Sequence, residues 1–139
     1  MKKKKYCLII IIALVICVFF IIRIFMGTKP FGRLSSNDVA GVTVELTPPD
    51  IKLAVSEQEI QELVHILNTV VIYQKDNSYV DYAGQIVTFT IKKTNGENLI
   101  VQAYSPFIII NGIGYKTKYE PCEALNSFAN NLEAGKNGK

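Results

Sequence analysis

The sequence predicts an α+β protein: an N-terminal transmembrane helix, then an antiparallel meander sheet of about four to five strands with two helices on one face. Three observations carry this. Lys2–Lys5 are followed by an apolar run from Tyr6 to Met26 that only Arg23 interrupts. Stretches 56–71 and 121–132 place apolar residues at helical spacing. Residues 85–117 alternate with a period of two, punctuated by two Asn-Gly pairs.

Residues 6–26 number 21, close to the roughly 20 that cross a hydrocarbon core of about 30 Å as a helix. Arg23 lies near one end, where a long side chain reaches the headgroups. A cleaved signal peptide shares the basic start, but its apolar region is usually about 7–15 residues. The run here also ends in Ile21-Ile22-Arg23-Ile24-Phe25-Met26, without small residues spaced for a signal peptidase. Lipoprotein processing needs a small residue before the cysteine; Ile16 precedes Cys17 and Tyr6 precedes Cys7. The reading is therefore an uncleaved anchor, with a lipoprotein or a secreted, cleaved form as the alternatives. The positive-inside tendency puts the N-terminus in the cytoplasm and residues 27–139 outside. Four lysines abutting a span read as an orientation signal resting on anionic lipid, so membrane lipid is a partner through this helix.

Composition narrows the rest. The whole chain carries a net charge of +3, yet residues 27–139 hold 10 Lys and Arg against 12 Asp and Glu. No basic face is implied, and nucleic acid is not an expected partner. Cys7 and Cys17 fall in the span, which leaves Cys122 as the single exported thiol and excludes an intradomain disulfide.

The chain divides into residues 1–26, the basic start and anchor; 27–40, a linker rich in polar residues, Gly and Pro; 41–134, one extracytoplasmic α+β domain; and 135–139, a frayed tail. Val42, Val44 and Leu46 alternate with polar residues as a half-buried strand does. Pro48-Pro49 stops it, and Ile51, Leu53 and Val55 form a short extended piece suited to an edge. Ser56-Glu57-Gln58-Glu59 is a capping box, followed by the stripe Ile60, Leu63, Val64, Leu67, Val70, Val71. The β-branched end of that stripe favours extended structure. Gln74–Gly84 is a polar loop. Val87, Phe89 and Ile91, then Leu99, Val101 and Ala103, define two hairpin strands around Asn95-Gly96. Phe107–Ile110 is apolar at every position, the mark of a strand covered on both faces. Asn111-Gly112 turns the chain into Ile113–Thr117. Pro121 suits the first position of a closing helix whose stripe is Cys122, Leu125, Phe128, Ala129 and Leu132.

Chemistry is sparse. Glu62-Leu63-Val64-His65 is a Glu-x-x-His, half of what a carboxylate-bridged metal pair needs. His65 is the one histidine and falls opposite the apolar stripe, so no metal and no cofactor is expected. None of the serines sits in a nucleophile-elbow setting. Cys122 belongs to a core stripe while His65 faces away, which argues against a Cys–His pair. Gly112-Ile113-Gly114 lacks the following helix of a phosphate loop. What remains is aromatic surface. Tyr79 and Tyr82, with Asp81 between them, lie in the long loop, and tyrosine offers rigid apolar area with a polar tip.

The basic start with one membrane segment, the capping-box helix, and the Ile109-Ile110-Asn111-Gly112-Ile113-Gly114-Tyr115 stretch before a final helix together resemble small uncharacterised, single-pass, membrane-anchored extracytoplasmic proteins of Gram-positive bacteria. That resemblance brings no activity or site residues. The expected function is a non-catalytic binding or protein-interaction module with a protein or cell-envelope partner. The alternatives are a tethered inhibitor or immunity-type protein and a small cell-envelope hydrolase or transferase.

Overall fold

The computed structural model describes residues 2–137, without the side chains of Lys2, Lys3, Lys4, Arg23, Ile24 and Asn137. The lysine cluster's contact with lipid, the reach of Arg23 and the tail at Gly138-Lys139 therefore lie wholly or mainly outside the described residues. Helix α1 runs Lys2–Met26. Its segment Lys5–Ile22 has a mean hydropathy of 3.0, and 0% of it is buried. It is long and apolar enough to cross a membrane, and it projects away from the rest of the chain.

Beyond it stand β1 (Val39–Thr47), β2 (Ile51–Ala54), α2 (Glu57–Thr69), β3 (Ile72–Lys75), β4 (Ile86–Lys93), β5 (Asn98–Tyr104), β6 (Phe107–Ile110), β7 (Ile113–Thr117) and α3 (Tyr119–Asn137). The strands form one sheet in the order β2-β1-β4-β5-β6-β7-β3, antiparallel throughout. The α+β class with an apolar N-terminal helix and an antiparallel sheet is as the sequence indicates. The strand count is not: the described residues hold seven strands and three helices, rather than four to five strands with two helices beside the anchor. The meander β4–β7 is the expected one. β1 and β2 extend it at one edge. β3 extends it at the other, where Val70 leaves the helix with φ −64 and ψ 125 and the β-branched run Val70-Val71-Ile72 continues extended.

Alternation decides which face is core. Val42, Val44 and Leu46 of β1, Val87, Phe89 and Ile91 of β4, and Val101 and Ala103 of β5 point inward. They are buried with Leu63, Leu67, Leu125 and Phe128 of α2 and α3. Leu99, on the same face, is half-buried. The capping box that opens α2 forms as expected: Ser56 N–H donates to Glu59 Oε2 at 2.7 Å, and Glu59 N–H to Ser56 Oγ at 3.4 Å. Those bonds favour the Glu59 carboxylate and hold its pKa below the usual 4.5. α3 starts two residues before Pro121. The missing N–H of proline falls among first-turn donors that have no helical partner in any case.

The stretch read as linker is corrected. Thr28 N–H donates to Ile72 O at 2.7 Å and Ile72 N–H to Thr28 O at 2.8 Å, one antiparallel bridge on the free edge of β3. Phe31 is 3% exposed within the main core, and Leu34 packs against it. Asn68 Nδ2 holds the Leu34 carbonyl at 3.3 Å. Ser35 and Asp38 form a second capping box, with Ser35 N–H on Asp38 Oδ2 at 3.0 Å. The polar composition concealed two apolar residues that the core takes up. At the other end, helix α3 continues through residues read as tail, as far as Asn137, the last described residue.

Candidate functional site

The outer sheet face carries a second, smaller cluster. Tyr104, Phe107 and Ile109 are buried there, with Tyr79 and Ile86 packed against them. Phe107–Ile110 thus meets its expectation: Ile108 faces the helices while Phe107 and Ile109 face the loop. The cover is the segment 76–84, held by a few specific contacts. Asp76 N–H donates to Gly114 O at 2.9 Å. Gly114 N–H donates to Asn77 Oδ1 at 2.8 Å. A side chain at Gly114 would run into Asp76 O and the Tyr79 ring, whose Cδ1 stands 2.7 Å from where its Cβ would be. Only glycine lets the loop lie this close. Asp76 accepts the Ser78 N–H at 2.9 Å and pairs with Lys116 at 3.4 Å. Its pKa is held down first by the Ser78 bonds and then by Lys116.

The three residues singled out in this loop separate on the structure. Tyr79 is half-buried and packs its ring at 6.3 Å from that of Phe107. It is part of the cover. Tyr82 meets Phe107 edge-on at 5.3 Å yet stays 57% exposed. Asp81 is exposed. Beside them Val80 is 70% exposed, an apolar side chain that the sequence did not single out. Its signal was a lone β-branched residue in a polar loop, which alone does not distinguish inside from outside. The resulting surface is a short 3-10 turn over Ser78–Asp81, closed by Tyr82, in which Val80, Asp81 and Tyr82 are exposed.

His65 is exposed on α2. Cys122 is fully buried, with its Sγ donating to the Phe107 carbonyl at 3.4 Å. Burial pushes the thiol up to about 12, so it stays protonated and unreactive at neutral pH. Among the described residues no group of three or more His, Cys, Asp or Glu is placed to hold a metal. An open cleft of about 390 Å³ lies where the segment 30–38 meets the β4–β5 turn. Phe31, Leu34, Leu99 and Ile110 form its apolar wall, and Arg33 and Lys93 stand at its rim with Asp38. Periodicity and composition do not reveal it, because its wall depends on Phe31 being core.

No protein-family model, curated protein or solved structure matches the chain.

Proposed function

We propose that this chain is a membrane-anchored extracytoplasmic binding module, held at the cell membrane by α1 with its N-terminus inside. On this reading it captures a protein or cell-envelope partner through Val80, Asp81 and Tyr82. One observation supports it above the others: a long apolar helix that the domain leaves uncovered is joined to a folded domain whose loop displays two large apolar side chains to solvent. Exposed aromatic and apolar residues on a loop fixed by a rigid sheet are the usual material of recognition. The likeness to small single-pass proteins of Gram-positive bacteria is part of the same proposal.

The test is capture of membrane neighbours by the detergent-solubilised full-length protein, comparing wild type with variants. Tyr82→Ala combined with Asp81→Ala is expected to weaken capture while the melting temperature hardly moves. Tyr79→Ala is expected to lower the melting temperature as well, since its ring covers Phe107. Capture unchanged in the Tyr82/Asp81 variant would remove this surface from consideration. Protease added to intact protoplasts should cut the chain beyond α1; a protected domain would overturn the orientation.

A further inference from the structure

We infer that the cleft between the segment 30–38 and the β4–β5 turn is a binding site for a small amphipathic carboxylate, an apolar chain that ends in a free carboxyl group. The site is separate from the Val80–Tyr82 surface and does not depend on the anchor.

The inner face of the sheet is incompletely covered here. Val101 on β5 and Ile108 on β6 are fully buried. The neighbouring inward-facing residue on each strand, Leu99 and Ile110, is only half-buried. Ile110 is opposite Val101 in the β5–β6 ladder, so Leu99 and Ile110 are diagonal neighbours on one face. Phe31 and Leu34 approach from the segment 30–38, and the four residues wall a space of about 390 Å³. Small-molecule sites occupy roughly 300–1,000 Å³. Apolar side chains that line an open space leave surface in water, which an apolar ligand would take out of it. The two sides of the cleft are tied together, since Thr94 N–H donates to Asp38 O at 2.9 Å. The site is therefore built before a ligand arrives.

Charge decides what the ligand carries at its end. The Asp38 carboxylate at the rim already has a structural partner, because its Oδ2 accepts the Ser35 N–H at 3.0 Å. Lys93 pairs with Glu97 at 3.3 Å, but the Glu97 side chain is 66% exposed, and water weakens such a pair. Arg33 is exposed and belongs to neither of the two ion pairs among the described residues. Its guanidinium is a planar fork of N–H donors that matches a carboxylate. An anionic head meets two cations, one of them unpaired. A cationic head meets a single carboxylate that is already bonded. The apolar wall supplies most of the affinity, and Arg33 fixes which way round the chain lies.

The test uses full-length protein in phosphatidylcholine nanodiscs, with isotope-labelled Ile, Leu and Val methyl groups followed by NMR at neutral pH. Octanoate should give saturable shifts at Leu34, Leu99 and Ile110, and none at Val80 on the outer side of the sheet. Octylamine should bind more weakly than octanoate. Arg33→Gln should weaken octanoate roughly fivefold, the upper range for an exposed ion pair, with octanol and the melting temperature unchanged. Ile110→Trp should fill the cleft and abolish both; Leu99→Trp takes its place if Ile110→Trp does not fold. Octylamine binding as tightly as octanoate, or octanoate binding untouched by Arg33→Gln, overturns the carboxylate assignment. Shifts spread equally over Val80 and the methyl groups of α1, or no shift at the cleft, overturn the site itself.

Discussion

Two irregular segments cover the sheet, one on each face, and they do so differently. Residues 27–38 cross the inner side and drive Phe31 into the main core at 3% exposure. Residues 76–84 lie on the outer side and hold Tyr79 half-buried, leaving Val80 and Tyr82 in water. Both are rich in Gly, Ser, Asn and Asp, and neither has a periodic apolar pattern. The first belongs to the fold because a large apolar side chain, Phe31, is buried in the same core as residues of both helices. The second belongs to it through backbone and Asn contacts to β7, which fix a loop without burying all of it. One segment is structure that resembles a tether; the other is a tethered loop with surface to spare.

The sharpest test of this contrast is Phe31→Ala. If the segment is core, its loss should cost roughly 3–5 kcal/mol, the usual range for a buried phenylalanine, read from chemical denaturation of the full chain. A near-neutral result would return residues 27–38 to the status of a linker. Gly114→Ala probes the outer cover. The added methyl group meets Asp76 O and the Tyr79 ring, so the loop has to move, at roughly 1–3 kcal/mol by the usual cost of overpacking. Amide exchange should rise in residues 76–84 and stay unchanged in residues 27–38. The smallest effect is expected from acid. The folded pKa of Asp76 lies below its ordinary value of 3.8. The stability it adds is thus complete above that value and fades as pH falls through the lower, folded one. Exchange in the Ser78 region should therefore rise in that acid window, and Asp76→Asn should abolish the dependence.

Much of the fold was legible because alternation and helical stripes report directly which side is buried. Val87, Phe89 and Ile91, Leu63 and Leu67, and Leu125 and Phe128 are core for the reason their spacing suggests. β3 was legible only as a β-branched run that favours extended backbone, because four residues after a helix are too few to show a period. Phe31 was hidden because a single aromatic in a polar stretch is equally consistent with exposure. The two Asn-Gly pairs looked alike in sequence and differ in structure. Asn111 and Gly112 both take positive φ in a two-residue turn. At Asn95-Gly96 only the glycine does, and Gly96 N–H closes on Lys93 O at 3.0 Å. The candidate surface was legible as a loop, but the division of labour between Tyr79 and Tyr82 was not. It depends on Phe107 lying beneath them, a contact across 28 and 25 residues of sequence.

The bridge between Thr28 and Ile72 has a mechanical consequence. Any pull on α1 reaches the domain at its outermost strand, where two hydrogen bonds carry it. A lone bridge at an edge opens by peeling, so it is the first part to yield under load. Phe31 is the next stop along the same path. Behind it the chain enters β1, which is laddered on both sides, by β2 and by β4. Tension applied through α1 is thus met in three stages of rising resistance, and the outer loop lies off that line of force.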